Sequence, residues 1–433
     1  MLSPAERRAK INAVIRVSAG NFLEMYDFII YGYYASYIAH TFFPAGNEFV
    51  SLMSALIAYG AGFLVRPIGA VVIGAYMDRK GRRRGLILSL SLMAVGTASI
   101  ALTPGYAQIG ALAPIIIVIG RLVQGFSSGV EIGGCSVYLA EIATPGNRGF
   151  YCAWQSGSQQ VAVMLSAALG VALTSVLLPE QMASWGWRVP LLIGCLIIPV
   201  VFWLRRSLQE TEAFLCSRPV ETTSEVLRLL SENWRVVGVG IMMSILTTTT
   251  FYLITVYTPT FGSQALHLDP LSSMIVTLCV GLSNFIWLPI GGAISDRIGR
   301  RPLLFIIPLV ALATAYPLMS WLVVAPTFGK LLAVELWFSF IFGTYNGPMI
   351  PLLAEMMPPR VRTAAFSLAF VTATAIFGGF TPAICTYLIE WTSNRAAPAL
   401  WLSLAAAISL AAALILPAVQ SVREVGARPV YVK

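Results

Sequence analysis

The sequence predicts an all-α, polytopic membrane protein with twelve transmembrane helices in two pseudo-symmetric six-helix bundles. Composition, charge distribution and an internal repeat lead to this prediction. Of the 433 residues, 57% are hydrophobic and 11% are charged, and the mean hydropathy is +0.78. A soluble protein of this size needs more charge to cover its surface. Runs such as "VPLLIGCLIIPVVFWL" are continuous and apolar, as in membrane-spanning helices, and lack the alternation of barrel strands.

The apolar runs are long enough to cross a hydrocarbon core of roughly 30 Å as helices. They are predicted at about 14–39, 50–77, 85–103, 111–142, 150–178, 188–205, 235–262, 272–295, 302–325, 329–357, 361–390 and 397–419. One long polar interval separates the first six spans from the last six. We therefore expect an amino-terminal bundle at 1–206, a cytoplasmic linker at 207–234 and a carboxy-terminal bundle at 235–433.

Positive charge is concentrated on one side of these spans. All but five of the 28 Lys and Arg residues lie at the termini or in loops on the same side as the termini. The exceptions are Arg66 and Arg121 within spans, and Arg188, Lys330 and Arg395 on the other side. Because Lys and Arg are retained on the cytoplasmic side, both termini are predicted to be cytoplasmic. The net charge of +9 then reflects topology. We expect the lipid bilayer as a partner and no nucleic acid.

The chain lacks the residue patterns of an enzyme or a cofactor site. Its six cysteines are scattered without a CxxC pair, and His40 and His267 are the only histidines. Neither histidine is predicted at midplane depth beside a nucleophile, and none of the four lysines lies in a phosphate-binding glycine-rich loop. We expect no enzymatic activity, no cofactor and no metal site, and a chain that functions as a monomer.

Two sequence pairs recur between the predicted bundles. "GAYMDRKGRR" at 74–83 matches "GAISDRIGRR" at 292–301, and "LAEIATPGNRG" at 139–149 matches "LAEMMPPRVRT" at 353–363. Both pairs lie at predicted cytoplasmic ends of equivalent helices. Internal repetition in a helical membrane protein is typical of transporters in which two bundles rock about a site near the midplane.

The doubled Gly-x-x-x-Asp-Arg-x-Gly-Arg-Arg pattern resembles the major facilitator superfamily, over essentially the whole chain. The stretches "GNFLEMYDF", "GRLVQGFSSGVEIGG" and "YLAEIATPGNRGFYCAWQSGSQQ" are similar to its metabolite:proton symporters, and among these to bacterial citrate and tricarballylate carriers. The resemblance implies the major facilitator fold, a bacterial cytoplasmic (inner) membrane, and proton symport of a small organic anion. Related carriers move betaine, proline, shikimate or 2-oxoglutarate, which leaves other substrates open.

Charged residues within the spans are the candidates for coupling. At 1.5 Å per residue, Glu24 lies about 15 Å and Arg66 roughly 18 Å from the cytoplasmic side, and Arg121 lies at similar depth. An ionised group there must pair or face water. Glu24 and Asp27, at positions i and i+3, repel one another when both are ionised, and desolvation favours their protonated forms. We interpret them as proton sites; the alternative is a fixed ion pair with Arg66 or Arg121 that only holds helices together.

Arg121 suits a carboxylate ligand because its guanidinium is planar and stays charged. One alternative is a permanent counter-ion to the two acids. The other is exchange, in which protonation of the acids releases the arginine to bind a substrate carboxylate. The resemblance supports a binding role, because the superfamily often has an arginine in this part of its fourth helix. Arg66 is a second candidate for substrate binding.

Other polar residues at membrane depth are weaker candidates. Glu131 could serve the inner half of a proton route or support helix packing. Glu335 lies near the outer end of its span, where facing a vestibule would be a sufficient explanation. Further candidates for substrate contact, each with interhelical or backbone hydrogen bonding as the alternative, are Gln155, Gln159, Tyr252 and Asn346.

The repeated motif predicts a salt-bridge latch that closes the cytoplasmic side and stabilises the outward-open state. Asp78 and Asp296 could pair with arginines or with a helix N-terminus across the bundle interface. The alternative is that the basic loops only set topology. The candidate gate residues are Gly74, Asp78, Arg82, Arg83, Glu141, Arg148, Asp296, Arg300, Glu355 and Arg362.

These features together predict a proton-coupled secondary importer of a tricarboxylate such as citrate or tricarballylate. A first alternative is a proton symporter for another metabolite, such as a dicarboxylate, a shikimate-like acid, betaine or proline. A second is a membrane receptor that binds a metabolite and signals through the 207–234 linker, without net flux.

Overall fold

A computed structural model describes residues 4–80, 82–129, 131–144, 146–206, 223–358 and 361–426. Within these residues the chain is helical and contains no β-strand, which confirms the predicted all-α class. Much of the predicted linker lies outside the described residues, and the chain resumes at a helix, Thr223–Glu232.

The described helices form twelve spans in succession, as predicted. In hydrocarbon, a helix satisfies all of its backbone hydrogen bonds internally, so long apolar runs fold this way. The first six are Pro4–Tyr33 with Ala35–Phe42, Glu48–Leu64 with Arg66–Lys80, Arg82–Leu102, Leu112–Ser128 with Glu131–Ile142, Arg148–Val176, and Val189–Arg206. The last six are Trp234–Ala265, Pro270–Ile298, Arg300–Val324, Phe328–Met356, Arg362–Thr392 and Pro398–Gly426.

Eight of these described spans are long and apolar enough, taken singly, to cross a membrane. The third and sixth contain shorter apolar stretches, Ile87–Leu102 and Gly186–Val200. Because the number of spans is even, the two described chain ends lie on one face. We call it the inner face, which the charge pattern predicts to be cytoplasmic, and we call the opposite face the outer face.

Three spans are irregular where they approach the bundle interface. The second span turns at Val65, because Pro67 lacks an N–H donor, and the next helix begins at Arg66. The seventh and eleventh spans contain π-helical turns at Tyr252–Tyr257 and Thr374–Gly378. Such turns displace side chains from the regular helical register and are frequent at functional sites.

The two bundles touch on both sides of the midplane. Towards the outer face, Gln264 Nε2 donates to Ser36 Oγ at 3.0 Å, and the rings of Phe63 and Tyr252 meet edge to face at 5.3 Å. The fifth and eighth spans pack closely against one another, and at their inner ends Gly149 meets Gly292. The structure is therefore closed on both faces.

The inner contact requires two glycines. A Cβ added to Gly292 would lie 2.5 Å from the backbone carbonyl oxygen of Gly149, and a Cβ added to Gly149 would lie 2.4 Å from that of Gly292. These separations are well inside van der Waals contact, and the neighbouring atoms belong to the backbone. The fifth and eighth helices can approach this closely because neither residue has a side chain.

We expect Gly292→Ala to lower the free energy of unfolding by about 1–3 kcal/mol, because the added methyl group overpacks a rigid backbone contact. The matched control is Gly238→Ala in the seventh span, where an added Cβ meets no atom within 4 Å and the exchange favours the helix. Thermal unfolding of the purified protein in detergent measures both. Equal losses in the two variants would contradict the close contact.

Candidate functional site

The first span places two carboxyl groups inside the amino-terminal bundle. Glu24 and Asp27 are each 2% exposed, and their side chains contact different partners. Glu24 Oε1 lies 3.4 Å from Arg66 Nη2, and the Arg66 side chain is fully buried. The turn at Val65 thus brings an arginine of the second span against an acid of the first. In this conformation Glu24 is part of an ion pair, the arrangement that the fixed-pair alternative predicts.

Asp27 reaches the second arginine through two intermediate side chains. Asp27 Oδ2 lies 2.5 Å from Thr97 Oγ1, and Gln124 Nε2 donates to the same hydroxyl oxygen at 2.8 Å. Arg121 Nη1 then donates to Gln124 Oε1 at 2.8 Å. Three hydrogen bonds therefore join Asp27 of the first span to Arg121 of the fourth, through Thr97 of the third.

The Thr97 hydroxyl can respond to the protonation state of Asp27. It has one proton and two acceptors within reach, Asp27 Oδ2 and the Met93 carbonyl at 3.0 Å. When Asp27 is ionised, the hydroxyl donates to it, and every bond from Arg121 onward points towards the carboxylate. When Asp27 carries a proton, the acid donates to the hydroxyl, which then donates to Met93. Aligned chains of this kind strengthen one another, so ionised Asp27 holds Arg121 more firmly than the neutral acid does.

Aromatic rings cover both guanidinium groups. The Phe28 ring lies between them, with its centroid 4.2 Å from Arg66 Cζ and 4.4 Å from Arg121 Cζ. Phe63 covers Arg66 at 4.1 Å, and Tyr31 covers Arg121 at 4.5 Å. A ring face attracts a cation, most strongly where water is excluded. The rings therefore provide part of the stabilisation of the two positive charges, and the carboxyl groups of Glu24 and Asp27 provide a further part.

Charge balance in this bundle depends on the two acids. Arg121 is fully buried, as Arg66 is, and removing one partner from a buried ion pair is strongly destabilising. With Glu24 and Asp27 ionised, two negative charges offset two positive ones. With both acids protonated, the guanidinium groups are left with an excess positive charge, which an anion can neutralise.

A small cavity lies between the bundles near this group. Gln159 from the first bundle and Tyr252 and Asn346 from the second line it, together with Met25 and Thr248. About 20 Å³ of it is open to the centre of a water molecule, which is room for about one water. Three of the residues predicted to contact substrate thus meet at the interface, in a conformation too tight for a tricarboxylate.

Tyr252 lies near enough to Arg66 for an electrostatic interaction between its hydroxyl and the guanidinium, without a hydrogen bond to that guanidinium in the described residues. Gln155, also predicted to contact substrate, does not line the cavity. Its Oε1 accepts from Ser156 Oγ at 2.9 Å, and Asn346 Nδ2 reaches Ser156 Oγ at 3.3 Å. Its Nε2 has no hydrogen-bond partner in the described residues, so its contact with substrate stays a prediction.

Two further polar residues of the site had little or no sequence signal. Thr97 gives none, because a threonine within an apolar helix usually bonds to its own preceding turn. Asn21 stands in the "GNFLEMYDF" stretch, so its position could have been noticed. Its Nδ2 donates to the Gln155 carbonyl at 2.9 Å, and its Oδ1 accepts from Gln159 Nε2 at 3.4 Å.

At the inner face, one acid of the repeated motif crosses between the bundles. Asp296 accepts from the backbone N–H groups of Gly149 and Phe150 at 2.9 and 3.1 Å. These are free amides in the first turn of the fifth helix, where negative charge is favoured. Arg300 Nη1 donates to the same carboxylate at 2.8 Å and so holds it in place.

Glu355 extends the network to the first bundle. Its Oε1 lies 3.4 Å from Arg300 Nη2 and 3.8 Å from Arg148 Nη1. Arg148 is exposed and Glu355 is half-buried, so the ion pair between them contributes little energy. Four predicted gate residues therefore lie together: Arg148, Asp296, Arg300 and Glu355.

The equivalent gate residues of the first bundle are mostly outside the described side chains, and so is the side chain of Glu131. Glu141 is exposed at the inner end of the fourth span, and Arg362 begins the helix of the eleventh. The predicted gate residues whose side chains are outside the described set are Gly74, Asp78, Arg82 and Arg83.

The sequence matches the family model described as Major Facilitator Superfamily over residues 17–382. The chain belongs to the Major Facilitator Superfamily. It is 57% identical to the citrate-proton symporter of Klebsiella pneumoniae over 93% of this chain and 91% of that protein. It is 56% identical to the citrate-proton symporter of Salmonella typhi over 96% of each.

Among solved structures, the xylose transporter XylE from E. coli, in a partially occluded inward open conformation, has a TM-score of 0.74. The match covers 94% of this chain and 96% of that one at 18% identity, and shows the superfamily fold. These findings confirm the predicted family and the twelve-span architecture.

We expect Asp296→Asn to open the inner face of this superfamily member. Cys152 is fully buried one turn beyond Gly149, close enough to interact with Asp296 and Arg300. In a protein whose only remaining cysteine is Cys152, Asp296→Asn should raise the rate of maleimide labelling about tenfold. The substitution weakens the hydrogen bonds that hold the inner face closed, and hydrogen bonds to charged groups contribute about 1.5–3 kcal/mol.

Asp269→Asn is the control for that experiment, since Asp269 caps the opposite end of the same helix by accepting from Ser272 N at 3.2 Å. Labelling that rises equally in both variants, or in neither, would show that Asp296 does not hold the inner face closed.

Proposed function

We propose that this protein is a proton-coupled symporter that imports citrate, or a closely related tricarboxylate, by alternating access. One observation carries the proposal. Each of two buried guanidinium groups is joined to a carboxyl group of the first span, directly for Arg66 and through Thr97 and Gln124 for Arg121. The choice of citrate as the proposed substrate rests on the relatives named citrate-proton symporters, which match nearly the whole chain.

The mechanism follows from charge. Outside protons neutralise Glu24 and Asp27, and the excess positive charge on Arg66 and Arg121 then attracts the polyanion. A planar guanidinium matches a carboxylate with two parallel hydrogen bonds. Substrate without protons would add negative charge to a bundle that is already balanced. Protons without substrate would leave two buried cations without counter-ions. Protons and substrate therefore bind together.

The closed structure represents a tight stage of the cycle. A cavity for about one water must widen before a tricarboxylate binds. Widening it requires the contacts between the two bundles at the outer or the inner face to break. Tyr252 belongs to the second bundle and Arg66 to the first, so rotation of the bundles would change the distance between the cavity lining and this arginine. Gln159 and Asn346 would bind hydroxyl or carboxylate oxygens from opposite sides.

We place the protein in a bacterial cytoplasmic membrane with both termini and the 207–234 linker in the cytoplasm, acting as a monomer and as a transporter rather than an enzyme. Proton handling by Glu131 and gating by the Asp78 motif belong to the same proposal.

Reconstituted protein should take up labelled citrate when the outside of the vesicle is made acidic, and an internal pH dye should report protons entering at the same time. Arg121→Ala should weaken the apparent affinity for citrate about ten- to a hundredfold, because charge-assisted hydrogen bonds are lost. Arg121→Lys keeps the charge without the fork and should lie between.

The control is Arg395→Ala, at an exposed arginine. Uptake that is indifferent to the proton gradient would rule out symport, and binding without flux would indicate a receptor. Unlabelled tricarballylate, 2-oxoglutarate and betaine added as competitors distinguish the tricarboxylate from the other substrates; stronger competition by betaine than by citrate would overturn the substrate assignment.

Thr97→Val should uncouple proton entry from citrate movement. Valine keeps the shape but removes the hydroxyl that joins Asp27 to Gln124, so net proton-driven uptake should fall about tenfold or more while citrate exchange across the membrane falls much less. Thr97→Ser restores the hydroxyl and should restore coupling. Equal loss of exchange and net uptake in Thr97→Val would show a role in packing instead.

A further inference from the structure

Glu335 is a buried carboxyl group that the amino-terminal site does not use. It lies in the tenth span, seven residues from the first helical residue, Phe328, and hence about 10 Å inward from the outer helix end. Only 5% of the residue is exposed, and its Oε2 has no hydrogen-bond partner in the described residues. It does not face an open vestibule, as its position in the sequence suggested; it lies inside the carboxy-terminal bundle.

Three spans close around this carboxyl group. Thr258 Oγ1 of the seventh span lies 3.0 Å from Glu335 Oε1. One turn further out, Gly262 of the seventh span packs against Ser273 of the eighth and near Leu331 of the tenth. The carboxyl group is therefore enclosed by protein on the side towards the outer face.

No charged side chain in the described part of these spans neutralises Glu335; Thr258 is the polar group with which its carboxyl interacts. Five charged or titratable residues lie towards the outer ends of the spans packed on it. Four have other contacts: Lys330 donates to the Trp321 carbonyl, Asp269 accepts from Ser272 N, and the hydroxyls of Tyr257 and Tyr316 accept from Thr386 and Asn394. The fifth, Cys279, is half-buried. A buried carboxylate without a counter-ion is costly.

The hydrogen count at Thr258 favours a proton on the acid. The Thr258 hydroxyl has one proton, and the carbonyl oxygen of Ile254 lies 2.9 Å from it, in the preceding turn. If the hydroxyl donates there, its oxygen can only accept from Glu335, which then needs an O–H group. A neutral acid satisfies both residues at once, whereas a carboxylate would compete with Ile254 for a single proton.

We propose that Glu335 is a second proton-binding site, which takes a proton from the outer solution and thereby closes the outer face. The ligand is H⁺, bound on the carboxyl group and donated to Thr258. This inference rests on the proposed function only for its place in a transport cycle. When the proton leaves, the carboxylate requires water, and the outer ends of the seventh and tenth spans must separate to admit it.

The position of Thr258 connects this proton to the bundle contact. It directly follows the π-helical turns at Tyr252–Tyr257. Val256 in those turns packs against Gly32 of the first span, where an added Cβ would lie 2.2 Å from its Cγ1, and Tyr252 lines the cavity. A change at Thr258 therefore reaches both the outer contact and the substrate cavity through one short segment.

Accessibility of the outer contact tests the proposal without substrate or transport. In a variant whose only cysteine is Val256→Cys, a membrane-impermeant maleimide applied from the outer side should label faster as the pH rises. Added Glu335→Gln, which mimics the neutral acid, should hold the contact closed. The ratio of the two rates at each pH removes the intrinsic pH dependence of the thiol, and it should increase about tenfold or more from acidic to alkaline pH.

Glu390→Gln, at an exposed carboxyl group near the outer end of the eleventh span, is the matched control and should label as its parent does. A rate ratio that is constant with pH overturns the proposal. Labelling that follows the Na⁺ concentration at fixed pH overturns it in favour of a metal-cation site. Because neither readout involves citrate, failure here is distinct from failure of the transport proposal.

Infrared difference spectroscopy gives a second test that does not need Glu335→Gln to fold. The wild-type protein should show the carbonyl stretch of a neutral, buried carboxylic acid. Thr258→Val removes its acceptor and should shift that band, whereas Thr258→Ser should leave it in place. A band that is absent, or unmoved by Thr258→Val, contradicts a protonated Glu335 bonded to Thr258.

Discussion

The structure of the amino-terminal bundle depends on the cost of leaving a guanidinium group without a counter-ion in a low-dielectric interior. Arg66 and Arg121 are fully buried, and neither can realistically lose its proton. The positive charge of each guanidinium must therefore be offset by a group whose charge can change or by a permanent interaction. The first span supplies titratable carboxyl groups, which can come and go, and the rings of Phe28 and its neighbours supply a permanent but weaker contribution.

The two arginines are held differently, and the difference has a mechanistic meaning. Glu24 touches Arg66 directly, so its ionisation acts on that guanidinium at 3.4 Å. Asp27 acts on Arg121 through two neutral side chains, so its effect depends on the direction in which each hydrogen bond points. In the proposed mechanism, a substrate carboxylate would replace the first partner by displacement and the second by a reorientation of hydrogen bonds. One bundle thereby contains a close electrostatic contact and a longer, more directional one.

Much of this arrangement could be predicted from the sequence, for a physical reason. A charge within a long apolar run is so unfavourable that its presence alone makes a residue a candidate for a site, which selected Glu24, Asp27, Arg66 and Arg121. The repeat likewise predicted the architecture and brought attention to Asp296. Which acid meets which arginine depends on helix rotation, and the sequence does not contain that information at the level of pattern. Thr97 was missed because a hydroxyl in a helix is usually self-satisfied, and Glu335 was misjudged because depth along a helix says nothing about the direction in which a side chain points. Gln155 has the spacing of a substrate contact, but in this conformation its side chain does not line the cavity, and its Oε1 accepts from Ser156 of the same helix.

At the inner face, Asp296 binds main-chain amides of Gly149 and Phe150 rather than a side chain of the opposite bundle. Every residue except proline offers the same N–H group, so an inherited change at position 150 leaves this recognition intact. Drift on one side of the interface therefore needs no matching change on the other. At this contact, the residue identities that matter most are Asp296 and the two glycines, Gly149 and Gly292, that let the helices approach.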